Sequence, residues 1–162
     1  MSLKKDNYKS SDKKIMNFAI NLAENNKYIT GTNPSVGCVI VKNNKILSFA
    51  TTNYGGRPHA ESIALNKNRS NKGTSLYSTL EPCSHHGVTP PCTNAIIKNK
   101  VKRVYYSIED KDLRTFNKTK KILKSKKIVA ISGLQKQKVK SLYSEYNYIC
   151  LLYTSPSPRD GR

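Results

Sequence analysis

Four residues have the types and the order that a hydrolytic metal centre needs: His59, Glu61, Cys83 and Cys92. One imidazole and two thiolates suit zinc and leave its fourth position for water. The thiolates offset the metal's charge, yet zinc lowers the pKa of bound water from 15.7 to ~7, giving hydroxide at neutral pH. A carboxylate must then move protons, and Glu61 is the candidate. A self-contained structural site is the weaker reading. It would close Cys83 and Cys92 with His85 or His86 and leave "HAE" at 59–61 without a task.

The spacing constrains the elements around the site. Residues i and i+2 point to different sides of a helix, so His59 and Glu61 can meet one metal only if a helix begins there. Pro58 suits a first helical turn. Cys92 follows "PP" and also opens a helix-like run, so two helix N-termini are expected to converge on the site and favour thiolate. His-x-Glu followed by Pro82-Cys83 and Cys92 is the known order of zinc-dependent deaminases.

The remaining chain supplies the scaffold. From Asp12, the apolar residues Ile15, Phe18, Ala19, Leu22 and Ala23 fall on one helical face. "VGCVIV" and "ILSFATT" read as a hairpin turned by "KNNK". "TSLYSTL" is a third strand leading into the cysteine motif, "RVYYSI" a fourth and "IVAIS" a fifth, with helices at "TNAIIKNK" and "TKKILKSK". A last helix places Val139, Leu142, Tyr143 and Tyr146 on one face. A hairpin followed by alternating strands and helices predicts an α/β sandwich with a mostly parallel sheet. Residues 1–11 form a basic N-terminal tail. Residues 150–162 lack periodicity, resemble translated sequencing-adapter read-through, and are expected to be a disordered, non-native tail.

Composition narrows the class. At 162 residues the chain can bury a core without staples. Its four cysteines, and the lack of a signal-like or membrane-length apolar run, predict a cytoplasmic protein with reduced thiols. Cys38 reads as a small core residue. The net charge of +19 would attract polyanions, but its lysines are scattered and no aromatics interleave them.

"NPSVGCVIV", "GGRPHAES" and "TLEPCSHHGVTPPC" resemble the deaminase domain of the riboflavin-biosynthesis bifunctional deaminase/reductases, over residues 12–149. The resemblance implies a cytidine-deaminase-like α/β fold: a three-layer α/β/α sandwich with a five-stranded mixed sheet. It implies hydrolytic deamination of 2,5-diamino-6-(5-phosphoribosylamino)pyrimidin-4-one by zinc-bound hydroxide. His59, Cys83 and Cys92 would hold one catalytic Zn2+, with Glu61 as proton shuttle. Asn33, His85 and Asp110 would contact substrate. For Asn33, a plain Asn-Pro turn explains the residue equally well. Family members usually carry Lys or Arg where this chain has Val88, so Arg57 or Arg114 is the candidate replacement. Lys111, Leu113, Asn117 and Thr119 also depart from the usual prolines and glycines of their loop.

The bifunctional relatives continue into a reductase domain where this chain ends, so deamination alone is expected. The expected partner is a small pyrimidine ribosyl phosphate, with homo-oligomers compatible and no membrane partner. A nucleic-acid or nucleoside deaminase of the same fold is the alternative. The long insert between the cysteines narrows access to the metal and argues against a polymer-attached base. A basic zinc-stabilised binding module is a third reading.

Overall fold

The first strand pair shows how local chemistry sets the frame. In the computed structural model, which describes residues 8–152, β1 (Gly37–Lys42) and β2 (Lys45–Thr51) form an antiparallel hairpin. Its two-residue turn, Asn43-Asn44, has φ of 51° and 61°. Asparagine tolerates this left-handed pair, whose twist matches the flanking strands. β3 (Ser75–Leu80) pairs antiparallel with β1, while β4 (Arg103–Ile108) and β5 (Val129–Ser132) continue in parallel. The order is β2-β1-β3-β4-β5. The sheet is therefore mixed as the family resemblance implies. It is also mostly parallel, as the alternation predicts: β2, β3, β4 and β5 run one way, and β1 alone runs against both its neighbours.

Helices cover both faces. α1 (Ser10–Asn25) packs on β1 and β3, and α2 (Ala60–Asn66) packs on β1 and β2. α3 (Cys92–Lys98) lies between α2 and α4 (Thr119–Ser125). Alternation along β3 sorts its side chains between the layers. The Tyr77 hydroxyl donates to Asp12 of α1 at 2.5 Å, whereas Ser78 turns to Glu61 of α2. Asp12 also accepts from the Lys9 N–H at 2.7 Å, which fixes the start of α1.

Gly37 is where α1 meets the sheet most closely. A Cβ there would stand 1.9 Å from the Ala19 carbonyl oxygen. Met16, Ala19, Cys38, Val39, Ile40, Leu76, Val104 and Tyr106 belong to the buried core. Cys38 is a core residue, as expected.

The last helix is a correction. Lys136–Val139 (α5) and Ser144–Leu152 (α6) are separate, and α6 includes Cys150. Tyr143, in the interruption, is buried; its hydroxyl donates to the Ser35 carbonyl at 2.8 Å and meets Thr79 Oγ at 2.5 Å. These tertiary bonds draw the turn inward. The Tyr143 N–H still reaches Val139 O and the Asn147 N–H still reaches Tyr143 O, so one face survives the break. Residues 1–7 and 153–162, covering most of both expected tails, lie outside the described residues. Among the described residues no helix is long and apolar enough to cross a membrane.

Candidate metal and catalytic site

β3 and β4 are parallel, and both deliver their C-terminal ends to one cleft of about 130 Å³. Crevices at the carboxyl ends of parallel strands are the usual ligand sites of open α/β sheets. Glu81 follows β3 and Asp110 follows β4; the two chain ends are tied by a bond from the Glu81 N–H to Ile108 O at 2.9 Å. The insert from Cys83 to Cys92 and the loop before α2 complete the walls.

His59 is the N-cap of α2 and Glu61 lies in its first turn. The helix begins two residues later than Pro58 at the first helical position requires; Pro58 precedes the cap. The expected end-on approach is otherwise present. Cys92 is the first residue of α3, with Pro91 as its N-cap. The Nδ1 of His59 and the Sγ atoms of Cys83 and Cys92 lie within 4.8 Å of one another. Nδ1 is 3.6 Å from Cys83 Sγ and 3.4 Å from Cys92 Sγ. Tetrahedral zinc ligands at ~2.0–2.3 Å would have edges of about 3.5 Å, so the donor set fits the ion. His85 does not join this cluster. Its Nδ1 is engaged by Thr115 Oγ at 2.7 Å.

Local hydrogen bonds prepare the thiolate. Cys83 Sγ accepts from the Cys92 N–H at 3.2 Å, the first amide of α3. The Cys92 thiol, His59 and this amide together push the Cys83 pKa down to about 4. Cys92 is held well above the usual thiol range by the same partnership and by burial. The Cys83 contact raises His59, favouring its charged form.

Glu61 is 3% exposed. Burial raises its carboxyl above the ordinary range, while His59 opposes that shift. The Ser78 hydroxyl, shared with the Leu80 carbonyl, lies 2.9 Å from Glu61 Oε1. Glu61 Oε2 faces Cys92 Sγ at 3.6 Å. A carboxyl whose protonated form is favoured by burial therefore stands beside the three donors.

The other expected residues also line the cleft. Asn33 caps a tight turn, with its N–H on Thr30 O and its Nδ2 donating to Gly56 O at 3.3 Å. Turn and cleft roles thus coincide. Gly56 permits this approach: at φ 95°, its Cβ would come 2.3 Å from Asn33 Nδ2. Asp110 is buried, accepts from Tyr146 at 2.7 Å and from the Asp112 N–H at 2.9 Å, and burial raises its pKa to about 6. Val88 lines the cleft and is 77% exposed.

Sequence reasoning passed over Ser78, Glu81, Thr115 and Tyr146. Glu81 accepts from the backbone N–H groups of Asp110, Asn117 and Thr119, and so pins the loop that carries Asp110. A glutamate directly after the apolar end of a strand was the available signal. Thr115 reaches His85, and Tyr146 reaches Asp110, only through tertiary folding; the apolar face of the last helix includes Tyr146 but does not mark it as a cleft residue.

Residues 9–108 match the family model of the cytidine and deoxycytidylate deaminase zinc-binding region. The chain is 41% identical over 124 residues to the diaminohydroxyphosphoribosylamino-pyrimidine deaminase of Buchnera aphidicola, covering 76% of this chain and 84% of that protein. It is 47% identical over 100 residues to the riboflavin biosynthesis protein RibD of Aquifex aeolicus, covering 61% of this chain and 28% of that one. It superposes on the diaminohydroxyphosphoribosylaminopyrimidine deaminase/5-amino-6-(5-phosphoribosylamino)uracil reductase of Thermotoga maritima with a TM-score of 0.81 at 34% identity. That match covers 88% of this chain and 42% of the other. The chain spans roughly a third of the length of several RibD relatives it matches, between 27% and 36%.

Proposed function

Because the chain belongs to the cytidine and deoxycytidylate deaminase zinc-binding family, in its RibD-type riboflavin-biosynthesis branch, we propose that it deaminates 2,5-diamino-6-(5-phosphoribosylamino)pyrimidin-4-one. The family match and the His59, Cys83 and Cys92 cluster identify it as a zinc-dependent aminohydrolase. We assign the deaminase unit to residues 12–149.

His59, Cys83 and Cys92 would hold the metal, and zinc, when bound, supplies Lewis-acid activation of water. Glu61 takes a proton from the attacking water and delivers it to the ring nitrogen beside the reacting carbon. Glu61 then takes a second proton from the hydroxyl now on that carbon and gives it to the exocyclic amine. The carbon–nitrogen bond breaks, ammonia leaves, and a carbonyl remains in its place. Ser78 keeps Glu61 Oε1 oriented during these transfers. The amide of Asn33 offers both donor and acceptor to a pyrimidine edge. His85 and Asp110 are assigned to the ribosyl part of the substrate.

The observation that carries this reading is the buried carboxyl of Glu61, 3.6 Å from one of three converging metal donors. Ammonia release from the diaminopyrimidine ribosyl phosphate by zinc-loaded protein tests it. Turnover of that compound, with none of cytidine or of adenosine in RNA, is expected. The opposite pattern would replace this substrate with a nucleoside or nucleic acid.

A further inference from the structure

Resting on the proposed substrate, we propose that Arg57 and Thr89 form the phosphate-binding mouth of the cleft, above the bare backbone of Gly87. Two cations line the cleft, Arg57 and Arg114. Arg114 is already committed: its guanidinium grips Asp112 through Nε at 2.9 Å and Nη2 at 2.5 Å. Arg57 lines the cleft two residues before His59 and donates Nη1 to the Thr89 hydroxyl at 3.2 Å. That partner is neutral, and among the described residues no carboxylate pairs with Arg57. A half-buried guanidinium held by a hydroxyl keeps its full charge and its fork of donors for an incoming phosphate.

Gly87 supplies the space. The point where a Cβ would stand is 3.8 Å from Arg57 Nη2 and 3.8 Å from His85 Nε2. Two nitrogen donors therefore border a volume that a side chain would enter. The hydrogen-bond network assigns the imidazole. Thr115 is fully buried and its hydroxyl accepts from the Ser84 N–H at 3.2 Å, so its own proton goes to His85 Nδ1. His85 Nε2 then carries the hydrogen and turns it toward the same space. Val88, the neighbouring wall residue, offers no charge. Arg57 comes from the approach to α2 and Thr89 from the cysteine insert, so a phosphate here would bridge two walls of the cleft.

The test uses zinc-loaded protein and two readouts. Calorimetric binding of ribose 5-phosphate should weaken about 10–100-fold in Arg57→Ala, less in Arg57→Lys, and stay unchanged in Arg114→Ala. In the deaminase assay, Arg57→Ala should raise KM for the phosphorylated substrate by about the same factor. The effect on its dephosphorylated form should be under about threefold. Equal losses on both forms, no loss at all, or a larger loss in Arg114→Ala would overturn the assignment. Suppose wild-type protein releases no ammonia while ribose 5-phosphate binding still depends on Arg57. The anion site then stands and the proposed reaction falls. Thermal melts of each variant separate misfolding from lost contact.

Discussion

Glu61 and Glu81 are both buried, 3% and 2% exposed, and both line the same cleft, yet their surroundings assign them opposite tasks. Glu81 is saturated by backbone amides from the loop after β4. A carboxylate so held is a fixed staple. Glu61 has a single hydroxyl on one oxygen and a thiol and an imidazole nearby, groups that exchange protons themselves. The difference arises because a first-turn residue of α2 projects into the cleft, whereas the residue after β3 lies beside backbone that needs an acceptor. Burial alone does not mark a catalytic acid; the exchangeability of its partners does.

The sharpest way to break this contrast is to remove each charge in turn. Glu61→Gln should cut kcat by about 10²–10⁴ while zinc content and melting temperature hold. Ammonia release paired with metal analysis reads this, and a surviving rate would hand proton transfer to another group. Glu81→Ala should do the reverse. It leaves three amides without their acceptor and should cost about 2–4 kcal/mol in urea unfolding, releasing the loop that carries Asp110. Unchanged stability would remove the staple from the comparison.

Two smaller effects sharpen it. Gly37→Ala forces a methyl against the Ala19 carbonyl and should cost about 1–3 kcal/mol by pushing α1 from the sheet. Because this contact lies in the core, catalysis per folded molecule should not change; a fall in kcat would couple α1 to the site. Asp110 gives a pH signature. Its folded pKa of about 6 exceeds its ordinary value of 3.8, so the favourable contribution is present below pH 3.8 and lost as pH rises through 6. Asp110→Asn should therefore stabilise the protein by up to about 3 kcal/mol above pH 7, and by almost nothing near pH 3.5. Urea melts at the two pH values check the sign. A stabilising loss of charge would mark Asp110 as kept for substrate.

The donor set was legible in the chain because metal chemistry restricts residue types severely. An imidazole, two thiolates and a carboxylate in this order have few other uses, and the i, i+2 spacing of His59 and Glu61 forces a helix start. Hairpin, strand order of appearance and core face of α1 were readable for the same reason: turn residues and apolar periodicity are local properties. What only the folded chain decided is which distant groups finish the site. Ser78 on Glu61, Thr115 on His85, Tyr146 on Asp110 and Thr89 on Arg57 pair residues 17 to 36 positions apart. Such pairings depend on sheet order and layer, and β1 running against β3 was not written in any short stretch. The sequence determined the reactive atoms; the tertiary structure decided their supports, because hydrogen-bond partners are chosen by proximity in space.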